Sequence, residues 1–294
     1  MLRTLGGDVA TVILGQNATP EALSALRESL GLDRPWTTQY LDWVSGLFRG
    51  DLGTSYSARF DIFEQIQSRL TVTLALVMGA VLVSSVLAYL AGTYAALHVR
   101  DRRGSLIDVI AQIGLSVPTF LSGLLLIGFG AIRLGWFPAG GYVSWTVDPA
   151  ASFRSLVLPV LALATPVTAV LTRYVRSAML DVINEDYIRT AMSKGRTRSA
   201  SLVIHGTRNA SITLVTVITL QIGALLTGAV VIENVFTLPG LGSMLVTAVQ
   251  GREAIVVQSV AFVVLLLILG LNFAMDLAYG VLDPRIRTAG VDRS

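Results

Sequence analysis

The stretch TVTLALVMGAVLVSSVLAYLAGTYAAL, at residues 71–97, contains no charged side chain. A helix rises about 1.5 Å per residue, so this stretch is longer than the hydrocarbon core of a bilayer, which is about 30 Å thick. A spanning helix satisfies its own backbone hydrogen bonds in lipid, which an isolated apolar strand does not. The stretch therefore predicts a membrane-spanning helix.

Four further charge-free stretches reach the length of about 18 residues that a spanning helix needs. They cover residues 109–132, 155–172, 209–232 and 254–275. The composition is also that of a membrane protein, because 53% of the residues are hydrophobic, 14% are charged and the mean hydropathy is +0.68. We predict an all-α, polytopic transmembrane helical bundle with five spans.

The sequence is poor in the residues that carry most enzyme chemistry. It has no cysteine and two histidines, His98 and His205, so we predict no clustered metal site and no bound cofactor. Its one lysine, Lys194, is followed by glycine, so the phosphate-binding loop of many ATP-hydrolysing proteins is missing. No loop concentrates Ser, His and Asp or paired carboxylates. These features predict a transport protein that is not an enzyme.

The distribution of arginine and lysine predicts the orientation in the membrane. Three basic residues lie at 98–108, seven at 173–208 and three after residue 282, whereas the alternate loops hold Arg133, Arg154 and Arg252. Basic loops face the cytoplasm. We therefore expect an external segment at 1–69, a transmembrane domain at 70–282 with a cytoplasmic loop at 181–208, and a cytoplasmic tail at 283–294. The net charge of +3 then reflects membrane flanks rather than nucleic-acid binding.

The predicted external segment has a helix signal and lacks an export signal. In NATPEALSALRESLGL, Thr19 is a candidate N-cap, Pro20 stands at the first turn and Gly31 lies past the end. The apolar run 9–14 is too short for a signal peptide and follows Asp8. We therefore expect that an additional spanning helix precedes this sequence.

The stretch DYIRTAMSKGRTRSAS, at 186–201, has the pattern of a helical hairpin. Apolar residues at 183, 187, 188, 191 and 192 form one stripe of a helix. Gly195 follows a cation and is suited to end that helix, and Ser199 is suited to open a second one. Periodicity favours two uses equally: a helix that lies flat on lipid, or a helix that docks in the groove of a soluble partner.

Two prolines, Pro159 and Pro166, fall within the predicted span at 155–172. Each removes a backbone donor and tends to bend a helix. The bend serves either packing against neighbouring helices or a substrate path that changes shape, and the sequence leaves both interpretations open.

Several motifs together resemble the inner-membrane permease subunits of bacterial ABC importers, in the dipeptide/oligopeptide/nickel branch. That family carries a cytoplasmic Glu-Ala-Ala-x-x-x-Gly signature, and RTAMSKG at 189–195 fills it with Arg189 in the place of the acid. The other similar motifs are QNATPEALSALRESLGLDRP (16–35), YLDWVSGLFRGDLGTSY (40–56), SVPTFLSGLLLI (116–127), RLGWFPAGGY (133–142), VIENVFTLPGLGSMLVTAVQGRE (231–253) and LDPRIR (282–287). The resemblance covers nearly the whole chain and places the family's first span just before the start of this sequence.

The resemblance implies a type I ABC importer permease fold and a multi-pass subunit of the inner (plasma) membrane. It implies four kinds of partner: a second homologous permease that completes the translocation path, two ATPase subunits, an external substrate-binding protein and the lipid bilayer. The ATPase-coupling residues would be Tyr187, Arg189, Thr190, Ala191 and Gly195. An external turn near the pathway would be shaped by Pro239, Gly240 and Gly242, and the alternative for that segment is a plain loop between spans.

Peptides are the substrate class that the resemblance favours, and nickel or glutathione carried by the same architecture is the alternative. A self-sufficient secondary transporter or channel is the main competitor from another class. Such proteins place ionisable groups inside their spans for ion coupling, and the five predicted spans contain no charged residue. Transport without any ATPase would distinguish this class from an importer subunit.

Overall fold

The computed structural model describes residues 9–183 and 185–282, and the predicted cytoplasmic tail at 283–294 lies outside them. Regular structure in the described ranges is mainly helical, as the sequence predicts. The short N-terminal helices are α1 (Val9–Leu14), a 3₁₀ turn (Gly15–Asn17), α2 (Pro20–Ser29) and α3 (Trp36–Leu47). The remaining helices are α4 (Ile62–Leu97), α5 (Arg102–Ser116), α6 (Thr119–Leu126, continued by π-helical Ile127–Arg133), α7 (Pro149–Ile183), α8 (Asp186–Ser193), α9 (Arg198–Val235), α10 (Leu241–Gln250) and α11 (Ala254–Leu282).

Four of the predicted spans are continuous helices. They are Ile62–Leu97 with 36 residues, Pro149–Ile183 with 35, Ala210–Val235 with 26 and Ala254–Leu277 with 24. Each of these helices is long and apolar enough to cross a bilayer. Pro159 and Pro166 both lie inside α7, which continues through them.

The predicted span at 109–132 is the exception, because it is a pair of helices rather than one. Helices α5 and α6 are bent by 105° at the break between Ser116 and Thr119. Val117 is extended, with φ −84° and ψ 119°, as the residue before a proline usually is. Pro118 then serves as the N-cap of α6. The prediction of one helix was wrong here, since a count of charges does not register a proline that ends a helix.

The chain divides into two compact units. The helical core unit comprises Ala75–Leu238 and the residues from Leu267 on, and the N-terminal unit comprises the residues up to Leu74 together with Pro239–Leu266. Each unit has its own buried residues, and they are described separately below.

In the helical core unit, α7 is the central helix and its neighbours approach it closely. A Cβ added to Gly92 of α4 would lie 2.8 Å from the carbonyl oxygen of Thr172, and one added to Gly228 of α9 would lie 2.8 Å from Leu163. Glycine at both positions therefore permits contact between helices, as small residues do in membrane proteins generally. The side chains of α7 that face these neighbours are largely buried.

The N-terminal unit is held by side chains from its two separate stretches of sequence. Trp43 donates a hydrogen bond to Ser259 Oγ at 2.9 Å, and its ring meets Phe262 edge-on at 5.9 Å. The helix predicted between Thr19 and Gly31 is confirmed as α2: Thr19 caps it by accepting from the backbone N–H of Ala22 at 3.2 Å. The contacts of Trp43 connect α3 and α11 within the unit.

The N-terminal unit also contains a buried carboxylate. Glu253 is 7% exposed. It accepts hydrogen bonds from Ser55 Oγ at 2.6 Å, from the backbone N–H of Tyr56 at 3.0 Å and from the Ser57 hydroxyl. The residue before it, Arg252, follows α10 with φ +55°, a conformation that few residues other than glycine adopt. The chain is thus turned sharply to bring Glu253 to its three donors.

Candidate functional site

The stretch predicted as a helical hairpin contains two helices joined by a glycine turn. Helix α8 covers Asp186–Ser193, and Glu185 before it is extended, with φ −72° and ψ 146°. The predicted apolar stripe began at Ile183, which lies instead at the end of α7. The second helix, α9, begins at Arg198 rather than at Ser199, because Thr197 caps it by accepting from the N–H of Ala200 at 3.2 Å.

The apolar stripe of α8 divides into an inward and an outward part. Ile188 is fully buried and Ala191 is 9% exposed, and Ile188 packs with Met179 of α7 and Leu202 of α9. Tyr187 is 45% exposed and Met192 is 37% exposed. The inward residues Ile188 and Ala191, which we name the clamping residues, therefore fix α8 to its own chain, while the outward residues lie at a surface.

The outward side of α8 carries most of the remaining candidate residues. The Arg189 side chain is 70% exposed and lies 3.6 Å from the Asp186 carboxylate, one turn away. An exposed pair of this kind adds little to stability, so Arg189 is available to a partner. The Thr190 hydroxyl donates to the carbonyl oxygen of Asp186 at 2.9 Å. We name Tyr187, Arg189, Thr190 and Lys194 the outward face of α8.

The phenol of Tyr187 belongs to this outward face. Partial removal from water and then the negative charge of Glu185 raise the pKa of Tyr187 above its ordinary value of 10.0. At neutral pH the ring is therefore uncharged, and a partner would meet it as an aromatic surface with a hydrogen-bonding tip.

Gly195 closes α8 in the manner predicted from the sequence. Its φ is +87°, a conformation that side chains other than glycine rarely adopt. The N–H of Gly195 donates to Met192 O at 2.9 Å, and the N–H of Arg196 donates to Ala191 O at 3.3 Å. These two bonds form the Schellman motif that commonly ends a helix at glycine. The turn thereby satisfies two carbonyl groups at the end of α8.

The structure brings four of the five coupling candidates into one helix and adds the fifth at its end. It separates Ala191 from the others, since Ala191 faces inward and Tyr187, Arg189 and Thr190 face outward. Lys194 also lies on the exposed side and was not among the candidates. Helical spacing was the available signal, because Lys194 follows Thr190 by four residues.

The second candidate segment, Pro239, Gly240 and Gly242, lies at the start of α10. Gly240 is the extended N-cap, and its carbonyl oxygen accepts from the N–H of Met244 at 3.2 Å. The N–H of Leu241 donates to the Thr73 hydroxyl at 2.9 Å within the N-terminal unit. Pro239 is exposed and Gly242 is buried. The segment is thus a helix start anchored to its own unit.

The described residues contain no group of three or more His, Cys, Asp and Glu side chains that would hold a metal ion. The candidate site on α8 consists of a helix face, a turn and the two clamping residues. Such an arrangement is suited to docking a protein and transmitting a displacement, and it resembles the helix-in-groove mode of recognition.

Comparison with known proteins identifies the family. Residues 88–288 match the binding-protein-dependent transport system inner membrane component family, and residues 1–77 match the N-terminal component of these membrane proteins.

Curated relatives cover nearly the whole chain. A di/tripeptide transport system permease protein of Pseudomonas aeruginosa is 36% identical over 98% of this chain and 92% of its own length. The dipeptide transport system permease protein of Escherichia coli is 36% identical over 96% of this chain and 90% of its own. A glutathione transport system permease protein of Escherichia coli has the same identity and coverage. The chain therefore belongs to the binding-protein-dependent transport system inner membrane component family.

Proposed function

We propose that this chain is the permease subunit of an ATP-driven importer of di- and oligopeptides and forms half of the translocation path. A second homologous permease forms the other half, two ATPase subunits supply the energy, and an external binding protein delivers the peptide. In this proposal α8 and the C-terminus face the cytoplasm of a cell with an inner membrane. The family match and the relatives that transport peptides support this assignment.

The observation that carries the proposal is the division of α8 into two sides. The clamping residues, Ile188 and Ala191, are buried in the helical core unit, and Ile188 shares one cluster with residues of α4, α7 and α9. A partner that moves the outward face therefore moves these helices with it, because closely packed interiors transmit displacements. ATP-driven closure of the ATPases would rock the spans between inward-open and outward-open arrangements.

The outward face also bears on the choice between a lipid and a protein partner. A helix that lies flat on lipid turns its apolar stripe toward the membrane. Here the centre of the stripe is buried against the protein's own helices, so the side that remains is largely polar, with Arg189, Thr190 and Lys194. That arrangement favours a protein groove over the lipid surface.

The Pro239–Gly240–Gly242 segment is proposed to lie on the external side, near the mouth of the pathway. The inside-positive distribution of arginine supports this side. The hydrogen bond from the N–H of Leu241 to the Thr73 hydroxyl holds the start of α10 within the N-terminal unit.

Glutathione is the second candidate substrate, because the glutathione permease is as similar to this chain as the dipeptide permease is. Glutathione is itself a small peptide, so one path suits both. The two are distinguished by offering each as a labelled substrate to the same preparation.

Transport in vesicles tests the proposal. The purified permease pair is reconstituted with its ATPases and binding protein, and uptake of labelled dipeptide, glutathione and Ni²⁺ is measured with ATP. We expect dipeptide uptake that stops when either the ATPases or ATP is omitted. Uptake by the permease pair alone would contradict the proposal and identify a secondary transporter, and ATP-dependent uptake of Ni²⁺ without peptide uptake would contradict the substrate class.

A further inference from the structure

An apolar pocket of about 330 Å³ lies within the helical core unit. Its wall is built from α4, α5, α6 and α7, and includes Leu87, Ile107, Ile110, Ala111 and Gly114. Leu87 is 45% exposed and Ile110 is 58% exposed, so these two residues stand at the mouth. The volume is at the lower end of the range for small-molecule sites.

The wall offers almost no hydrogen bonds to an occupant. Thr165 Oγ1 donates to Leu161 O at 2.8 Å and Thr172 Oγ1 donates to Thr168 O at 2.7 Å, both along α7 itself. The hydroxyl oxygen of Thr168 is buried and has no hydrogen-bond partner among the described residues. A peptide brings several backbone groups, and burying each without a partner is costly. The pocket therefore suits a hydrocarbon and not a peptide.

Charged side chains lie at one end of the pocket. Arg176 of α7 lies four residues beyond Thr172, and it pairs with Asp108 of α5, next to Ile107, at 3.3 Å. The basic stretch at 98–108 lies at this end. Since helix residues four apart share a face, Arg103 lies one turn before Ile107 on the side that lines the pocket. Arg102 is about 100° away from Arg103 around the same helix and is off that face.

We propose that this pocket holds one acyl chain of an anionic phospholipid, whose phosphate pairs with Arg103. The helices that form the pocket belong to predicted membrane spans, and an exposed arginine lies on the same helix face one turn beyond the wall. Basic sites beside spanning helices bind anionic headgroups in this way. The leaflet is the one that faces the 98–108 stretch, which the proposed orientation makes cytoplasmic.

The bound lipid would join α5 to α4 and α7 along the part of α5 that precedes its break with α6. It fills a pocket that lies beside the 105° break and that no described side chain occupies. The proposal does not depend on which substrate is carried, because it concerns a lipid that remains with the protein.

Lipid retention in the purified complex tests the proposal. The complex is prepared in mild detergent after exchange into vesicles of phosphatidylcholine with phosphatidylglycerol, and the lipids that remain bound are measured by mass spectrometry. We expect phosphatidylglycerol to be enriched, with about five-fold weaker retention in Arg103→Ala, from the typical contribution of one arginine near an anionic headgroup. Arg102→Ala is the matched control and should retain lipid as wild type does.

A second variant, Ala91→Phe, fills the pocket from its α4 wall without touching the arginines. We expect it to lose the bound lipid while the complex still assembles, as judged by size-exclusion chromatography. Equal effects of Arg102→Ala and Arg103→Ala, or equal retention of zwitterionic and anionic lipid, would overturn the proposal. So would displacement of the signal by inorganic phosphate alone, or a cross-link from Ile110→Cys to a helix of the second permease in place of lipid.

Discussion

Gly195→Val is expected to abolish peptide-stimulated ATP hydrolysis and transport by the assembled importer. The φ of +87° at this position is left-handed, and a residue with a side chain pays about 1–2 kcal/mol to adopt it, more when it is β-branched. A Cβ here would meet no atom within 4 Å, so the whole effect comes from the backbone.

The strain at Gly195 falls on the two hydrogen bonds that end α8. Valine would favour φ below zero. The hydrogen bonds from the N–H groups of residues 195 and 196 to the carbonyl oxygens of Met192 and Ala191 would then break, and α8 would rotate about its axis. The outward face and the clamping residues lie on opposite sides of α8. A rotation of the helix by about 100°, the angle of one residue, would therefore displace both sets of side chains. Loss of coupling is therefore expected even if the complex still forms.

Gly195→Asn is the matched control for this prediction. Asparagine adopts the left-handed conformation several-fold more readily than most residues. It should retain most of the stimulated ATP hydrolysis, measured as phosphate release at saturating peptide and binding protein. If Gly195→Asn and Gly195→Val fail equally, the requirement is for the absence of a side chain and not for the backbone conformation. If both variants are active, the turn has no role in coupling.

Glu253→Ala is expected to destabilise the N-terminal unit by roughly 3 kcal/mol. The substitution leaves the buried hydroxyl of Ser55 and the partly buried N–H of Tyr56 without this acceptor, whereas the exposed hydroxyl of Ser57 can turn to water. Hydrogen bonds to a charged acceptor are stronger than neutral ones, and orphaned buried donors add their own cost. The strained turn at Arg252 would also lose the contact that offsets it.

Hydrogen exchange of the loop at 51–61 measures this effect locally, and thermal unfolding in detergent measures it for the whole chain. Glu28→Ala removes an exposed carboxylate from α2 of the same unit and should change stability by less than about 0.5 kcal/mol. Exchange at 51–61 that is no faster in Glu253→Ala than in Glu28→Ala would contradict the role given to Glu253.

The long helices could be predicted from sequence because each depends on a local property. A span requires only a run of apolar residues, so the charge-free stretches at 71–97, 155–172, 209–232 and 254–275 all fall within single helices. Helix α4 begins at Ile62, before its apolar run, and its first turns include the charged residues Glu64 and Arg69. The break at Pro118 was missed because hydropathy is summed over side chains, while the break is a property of the backbone.

The candidate site was predictable in part, because a helix and its end depend on local sequence whereas burial depends on distant contacts. The period of apolar residues identifies α8 and its end at Gly195, but it does not say what buries the stripe. Ile188 and Tyr187 are neighbours in the same predicted stripe, and contacts with α7 and α9 bury one and leave the other exposed. Glu253 had no sequence signal at all, because its donors lie almost 200 positions away in the chain.

Site-directed cross-linking tests the central claim, that the outward face of α8 docks on an ATPase. The chain has no cysteine, so single variants Arg189→Cys and Ala191→Cys each carry one photoactivatable thiol label in the assembled importer. We predict a product with the ATPase subunit from position 189 and none from position 191, which is buried against its own chain. Products with lipid alone from position 189, or equal ATPase products from both positions, would contradict the account.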